Sequence, residues 1–320
     1  MKIIIRNCNV AELDIPLKYA TKLYNEFAIR HPNAFYLRTR QRGMQNWDGK
    51  IKYITKTGQF KIGLLPSVYK RCIELGIKPI IVDMRQPLPK VSKVVTQIGK
   101  YKLRPEQEKA VKAILSNKLG ETPFQIGVLD YTVNAGKTLI MSALYLSYKK
   151  QLKTLLITND SDWLNQARDE FKQYLPGEDI TFVQGKVLNW SNFTIGMVQS
   201  ISRNMKYYQN ELAKIDMVLI DEADQGGSKQ YQNAITRLFN TRVRIGLSGT
   251  IYMSKLAKDK VKNMNLRCFF GDVLAEFKLK DSIKKGYSTK TIVKTVEGKP
   301  WFGNWESDCM RSEERRVGKE

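Results

Sequence analysis

From residue 125 onward, short apolar runs of strand length alternate with amphipathic stretches of helical period. The runs are QIGVLDYT, TLLITN, ITFVQG, FTIGMVQ, DMVLIDEAD and VRIGLSGT, and each ends in small or polar residues. Apolar strands separated by crossover helices bury both faces, so this alternation predicts βαβ units on a mostly parallel sheet. Ligands of such sheets bind beyond the carboxyl ends of the strands, where these small and polar residues fall. The first hundred residues follow another pattern. Short β-like runs (KIIIRN, IKYIT, PIIVD) surround two helix-like ones, PLKYATKLYNEFAIR and LLPSVYKRCIELGI, before the proline- and lysine-rich RQPLPKVSKVVTQIGK. The reading is an α/β chain: a small α+β domain over residues 1–90, a linker over 91–100 and a larger parallel-sheet domain over 101–290.

Composition narrows the chemistry. Hydrophobic residues make up 42% and charged residues 27% of the 320 positions, a globular balance. The opening MKIIIRNCNVAELDIPLK turns polar after three isoleucines, and no apolar run approaches 18 residues, so a soluble, non-secreted, cytoplasmic protein is expected. The formal charge of +23 comes from 54 basic and 31 acidic residues, and residues 1–100 supply +13 of it, with 19 basic and 6 acidic. Such an excess costs self-repulsion and points to a polyanionic partner, nucleic acid being the default; a solubilising surface is the alternative. His31 is the only histidine, and Cys8, Cys72, Cys268 and Cys309 show no metal-ligand spacing. Zinc sites and imidazole-based catalysis are thereby set aside, leaving carboxylates, lysine, hydroxyls, backbone amides and a borrowed metal. The cysteines read as reduced structural thiols.

The stretch LDYTVNAGKTLIMSALYLSYKK holds Gly136, Lys137 and Thr138 between a strand-like and a helix-like run. A phosphate loop points backbone N–H groups and a helix amino terminus at phosphates, with a lysine on the outer phosphates and a hydroxyl on Mg²⁺. Tyr131 stands where the first glycine of that pattern belongs. A bare Gly-Lys-Thr also arises by chance, so the loop alone decides nothing. Eighty-four residues after Lys137, MVLIDEADQGG places Asp221 and Glu222 directly after an apolar run, an order suited to holding Mg²⁺ and orienting water. RIGLSGT then sets Ser248, Gly249 and Thr250 at another strand end.

In order and spacing, LRPEQEKAV, TVNAGKT, TIGMVQSI, DEAD and GLSGT resemble the motifs of superfamily 2 helicases. Within that superfamily the chain most resembles the bacteriophage UvsW-like DNA helicases, which also carry a basic amino-terminal domain with a segment like RTRQRGMQNWDGKIKYI. CFFGDVLAEFKLKDSIKKGYST is similar to their passage between two RecA-like domains, and the likeness runs over about residues 1–297. The resemblance implies a first RecA-like domain that binds ATP and Mg²⁺. It implies that Arg104 and Gln107 belong to the adenine-contacting element, and that Asn134, Ala135, Gly136, Lys137 and Thr138 form the phosphate loop. Thr138 and Asp221 would hold the metal, Glu222 would position or activate water, and Ser248, Gly249 and Thr250 would couple the nucleotide to DNA. Gly196, Gln199 and Ser200 match an element that touches the nucleic-acid backbone. Thr132, Val133 and Asn134 replace the usual Pro-Thr-Gly, although asparagine tolerates left-handed backbone. Asn159 and Asp160 replace Pro-Thr in the next motif, and an acidic Asp160 disfavours that loop as a DNA contact.

In the basic segment, Arg38, Arg40 and Arg42 would share one face of a strand and, with Lys50 and Lys52, could track phosphates. Tyr36, Trp47 and Tyr53 could stack on bases; the favoured reading puts Trp47 and Tyr53 in a small core, with WDGK as a hairpin turn. Residues 291–310 would begin a second RecA-like domain, too short here to supply its arginine, and 311–320 (RSEERRVGKE) form a charged tail, either foreign to the native frame or natural. The expectation is an ATP-dependent helicase or translocase fragment acting on forked or branched DNA in phage recombination, repair or replication. A non-catalytic DNA-binding module and the motor part of a restriction or RNA-remodelling enzyme are the alternatives.

Overall fold

The computed structural model describes residues 1–40, 43–91, 93–184, 189–252 and 259–290. In β1 (Lys2–Ile5), period-two burial puts Ile3 and Ile5 inside, and the strand pairs antiparallel with β2 (Val10–Asp14). Next come α1 (Leu17–Glu26), β3 (Ala28–Arg30), α2 (Ala34–Arg40), β4 (Lys50–Lys52), β5 (Gln59–Lys61), α3 (Leu65–Glu74) and β6 (Ile80–Asp83). They complete a four-stranded sheet of order β5-β2-β1-β6 and a small β3–β4 ribbon.

The expected strand bearing Arg38 and Arg40 is instead helix α2. Residues two apart on a helix point to different sides, so these arginines form no single stripe; Arg42 lies outside the described residues. WDGK is not a hairpin turn either: it leads into β4, whose partner β3 lies some twenty residues earlier in sequence. Asp48 Oδ1 accepts the Lys50 N–H there (2.9 Å), and Gly49 takes a left-handed φ of 74°. Trp47 is half-buried rather than a core residue; its ring meets His31 edge-on and its indole donates to the Lys50 carbonyl.

Two short hairpins, β7 (Gln97–Ile98) with β8 (Tyr101–Lys102) and β9 (Lys118–Leu119) with β10 (Thr122–Pro123), flank α4 (Pro105–Leu115). Then follow β11 (Ile126–Tyr131), α5 (Lys137–Ser147), β12 (Thr154–Thr158), α6 (Ser161–Tyr174), β13 (Ile180–Val183), β14 (Phe193–Met197), α7 (Val198–Arg203) and α8 (Met205–Leu212). The order closes with β15 (Met217–Asp221), α9 (Lys229–Thr236), β16 (Val243–Ser248), α10 (Asp259–Phe270), β17 (Val273–Phe277) and α11 (Leu279–Lys284). Seven of these strands form one sheet, β13-β14-β12-β15-β16-β11-β17, with every pairing parallel. All six apolar runs are strands of it, and β17 is a seventh. Val273 and Glu276 are exposed in VLAEF because β17 is an edge strand, with a partner on one side only.

The large sheet divides the core by alternation. Leu155, Ile157, Val218 and Ile220 face one side, while Leu156, Met217 and Leu219 face the other, against α4, α5 and α6. The first side is continuous with the amino-terminal sheet: Ile3, Leu23, Phe60 and Val68 belong to the same buried cluster as Phe124 and Phe270. Residues 1–288 form one compact unit. Cys8, Cys72 and Cys268 are free buried thiols; Cys309 lies outside the described residues.

Gly63, in the turn before α3, shows how closely the two sheets are joined. A Cβ there would stand 2.1 Å from the carbonyl oxygen of Arg267 and 2.7 Å from that of Cys268. Backbone cannot yield as a side chain does, so Gly63→Ala is expected to destabilise the fold by about 1–3 kcal/mol, a melting-temperature loss of several degrees in a single transition. Gly227→Ala, whose Cβ would meet only Leu266 at 3.9 Å, is the neutral control in the same thermal unfolding series.

Candidate nucleotide site

The phosphate loop begins where β11, buried at all six positions, reaches the end of the sheet. Tyr131 occupies the place of the missing first glycine as the last residue of this strand. Its backbone is extended, and its hydroxyl donates to the Glu106 carbonyl (2.7 Å), so glycine's freedom is not needed there. The tight geometry falls instead on Asn134 and Gly136, both left-handed at φ 62° and 73°. Asparagine accepts that region better than most residues. At Gly136 a Cβ would lie 2.3 Å from Gln107 Nε2, so conformation and space both require glycine.

Arg104 and Gln107 are tied to this loop. Gln107 Oε1 accepts the Arg104 N–H (2.8 Å) in a capping arrangement at the start of α4, and its Nε2 donates to the Ala135 carbonyl (2.9 Å). The Arg104 guanidinium donates to the Asn134 carbonyl (3.3 Å). Lys137 and Thr138 open α5, a helix apolar all round because it lies inside the domain.

Beyond β15, Lys137 Nζ stands 3.6 Å from Asp221 Oδ1 and 3.8 Å from Glu222 Oε1. Burial pushes both carboxyl groups above their usual range and Lys137 opposes this; for Glu222, Asp221 and Asp224 add repulsion. Glu222 adopts a left-handed φ of 52°, costly for a non-glycine residue and typical of functional turns. Asp221 Oδ1 is buried and has no hydrogen-bond partner among the described residues. With the Thr138 hydroxyl it suits Mg²⁺, which commonly takes one or two carboxylates together with substrate phosphates. Among the described residues no three His, Cys, Asp or Glu side chains cluster as a metal cage.

The third motif is joined to both others. Ser248 Oγ donates to Asp224 Oδ1 (2.8 Å) and accepts the Thr250 N–H (3.1 Å), and Gly249 packs on Thr132, where a Cβ would come 3.2 Å from its Cα. Sequence reasoning named Asp221 and Glu222 but missed Asp224, although the whole DEAD run was visible. It also missed Lys278, which pairs with Asp130 beneath the loop, and Tyr287, whose ring lies 4.3 Å from the Arg104 guanidinium. Both lie in the segment that resembles the passage between two domains, but no local motif gives either a role, and it is the seventh strand that brings them in.

Among the expected DNA contacts, Arg38 and Arg40 are exposed on α2, with Arg40 over the Tyr36 ring (4.7 Å). Lys50 and Lys52 flank β4; Lys52 pairs with Asp48 (3.2 Å) and lies over the Tyr24 ring. Gln199 and Ser200 are half-buried just beyond β14, Gln199 donating to the Asn159 carbonyl (3.4 Å). Gly196 is buried within β14, and a Cβ there would press on Ile201 at 2.8 Å. Its position makes room for packing and presents no surface to a ligand.

The carboxylates give a test of the site. The folded-state pKa of Asp221 is raised above the unfolded value, so ionisation costs stability above the folded pKa, and the cost vanishes below the unfolded one. Asp221→Asn is therefore expected to raise the melting temperature at neutral pH by a few degrees, about 1 kcal/mol, while abolishing turnover. The difference from the parent should shrink as pH falls through the carboxylate range, which calorimetry at several pH values would read.

Residues 100–253 match the family described as "Type III restriction enzyme, res subunit". The ATP-dependent DNA helicase uvsW of Enterobacteria phage T4 is 23% identical over 272 residues, 78% of this chain and 51% of its own. A protein of Acanthamoeba polyphaga mimivirus that carries the name of an ATP-dependent RNA helicase is 25% identical over 147 residues, 46% of this chain and 27% of its own. The crystal structure of the T4 UvsW helicase superposes with a TM-score of 0.67 at 21% identity, covering 86% of this chain and all of that one. The chain thus spans about half the length or less of these curated relatives. No helix among the described residues is long and apolar enough to cross a membrane. With a parallel sheet, a phosphate loop and two further motifs joined at its strand ends, the chain shares the fold of the phage UvsW helicase and is similar to it over most of its length.

Proposed function

We propose that this chain is the amino-terminal part of an ATP-dependent DNA helicase or translocase that acts on forked or branched DNA in the host cytoplasm. One observation carries the reading: Gln107, the phosphate loop, the Asp221-Glu222 pair and the Ser248-Thr250 turn form one connected set at the carboxyl ends of β11, β15 and β16. A nucleotide held there would place its outer phosphates at Lys137, with Mg²⁺ held by Thr138 and Asp221. The chemistry supplied there by Mg²⁺ would be neutralisation of the charge that develops on the phosphates. Glu222, with its raised proton affinity, takes up the proton of the attacking water. Asp224 and Ser248 carry any shift of the carboxylate turn to the Thr250 turn, and so toward the DNA path. A second RecA-like domain would contribute the arginine that speeds turnover.

DNA binding is assigned to the region of residues 1–90, with Arg38, Arg40, Lys50 and Lys52 as phosphate contacts and Gln199 and Ser200 as contacts from the larger sheet. The net charge of +23 supports this. The test is binding of forked and linear duplex DNA at several salt concentrations, with and without a non-hydrolysable ATP analogue. Forked DNA should bind more tightly, with an affinity that changes with nucleotide. Arg38→Ala with Arg40→Ala should weaken binding to all sequences and lower the salt slope by about 2. Affinity indifferent to nucleotide would favour a plain DNA-binding module instead.

A further inference from the structure

The opposite end of the large sheet holds a second polar cavity, of about 530 Å³. It is lined by Gln151 and Leu152 ahead of β12, Asp216 ahead of β15 and Arg242 ahead of β16, and by Arg6 and Arg85 from the amino-terminal sheet. The nucleotide site lies at the carboxyl ends of these strands, so the two are separate. A volume of this size is that of a small-molecule site.

The charge in its wall is unbalanced. The Arg85 side chain is 2% exposed and that of Arg242 is 8%, yet both pair with one carboxylate, Asp83, at 2.8 and 3.3 Å. Behind them Arg244 is fully buried and bonds only to neutral oxygens: the carbonyls of Cys8 and Phe269 and the side chain of Asn9. Arg85 and Arg242 thus share one carboxylate, and Arg244 has none. Arg85 Nη1, Arg242 Nε and Arg244 Nε find no hydrogen-bond partner among the described residues. Asp216 is the other carboxylate of the wall, and it pairs with neither guanidinium among the described residues. Arg6 is paired with Glu12, Lys214 with Glu211, and the half-buried Asp216 accepts the Lys153 N–H, its carboxyl pushed up by burial. Burial holds Arg242 below its usual range, with Arg85 adding repulsion, and holds Arg244 down to about 10. Uncompensated buried charge is costly, and a guanidinium fork fits a tetrahedral oxyanion in two-point contact.

We propose that this cavity is an oxyanion site that takes a small phosphate-bearing molecule, its phosphate lying against Arg242 and Arg85 and supplying the missing negative charge. Removing the Arg242 guanidinium should lessen the imbalance without a ligand, since Asp83 would then pair with Arg85 alone.

The test uses the whole chain carrying Lys137→Ala, so that the phosphate loop cannot report. Inorganic phosphate and pyrophosphate are titrated at constant ionic strength against chloride, with thermal unfolding and calorimetry as readouts. Saturable stabilisation by phosphate or pyrophosphate and none by chloride is the expected result. Arg242→Met should weaken that binding at least tenfold while melting no lower than its parent in phosphate-free buffer. Gln151→Glu, at an exposed position on the cavity wall, leaves the arginines in place and should abolish the response by supplying an internal anion. Equal affinity in parent and both variants, or no saturable response in the parent, would overturn the proposal. A response given by a 5′-phosphorylated oligonucleotide but not by pyrophosphate would overturn it as a small-molecule site.

Discussion

Lys137→Ala is expected to lower ATP turnover by about two to three orders of magnitude, the range seen when one preorganised charge-stabilising donor is removed from an active site. Lys137 is the sole cation within 4 Å of Asp221 and Glu222 among the described residues, so the variant loses the countercharge of the outer phosphates and leaves the buried Asp221 and the half-exposed Glu222 without a neutralising partner. Nucleotide binding should weaken together with turnover. Fluorescent-nucleotide titration with steady-state hydrolysis measures both. Affinity unchanged from the parent would remove Lys137 from the phosphate site.

Glu222→Gln separates binding from chemistry. The amide keeps the shape of the turn but cannot accept a proton from water. Turnover should fall by about two to four orders of magnitude, the usual contribution of a general base, while nucleotide affinity holds or rises as the crowding with Asp221 and Asp224 is relieved. Single-turnover kinetics distinguishes this from a binding defect. A loss confined to affinity would move Glu222 from water to the phosphates.

Much of this site can be read along the chain because its residues follow strand ends, and strand ends announce themselves as apolar runs closing on Gly, Asp, Ser or Thr. Lys137, Asp221, Glu222 and Ser248 were legible for that reason. Gln107 was placed through family likeness, but its grip on the Ala135 carbonyl is a tertiary contact across 28 residues that no local pattern encodes. Tyr131 looked like a defect in the loop; the structure shows a buried strand residue whose hydroxyl anchors α4.

The amino-terminal region was harder to read because small elements carry weak periodicity. AFYLRTR alternates like a strand, yet it folds as a short helix that keeps Ala34 inward and its arginines in solvent. Strands β2 and β5 are short, and VAELD and QFK gain their stability from pairing with β1 and with each other rather than from sequence pattern. The joining of two sheets through one core could not be foreseen from a proline-rich stretch between them, since Gly63 against the Arg267 carbonyl is a contact between distant residues.

The most direct test of the account is ATP hydrolysis by the whole chain with and without forked DNA at low salt, beside its Lys137→Ala variant. The expected result is weak turnover that rises when forked DNA is added and disappears in the variant. Turnover that is indifferent to DNA or preserved in Lys137→Ala would contradict it.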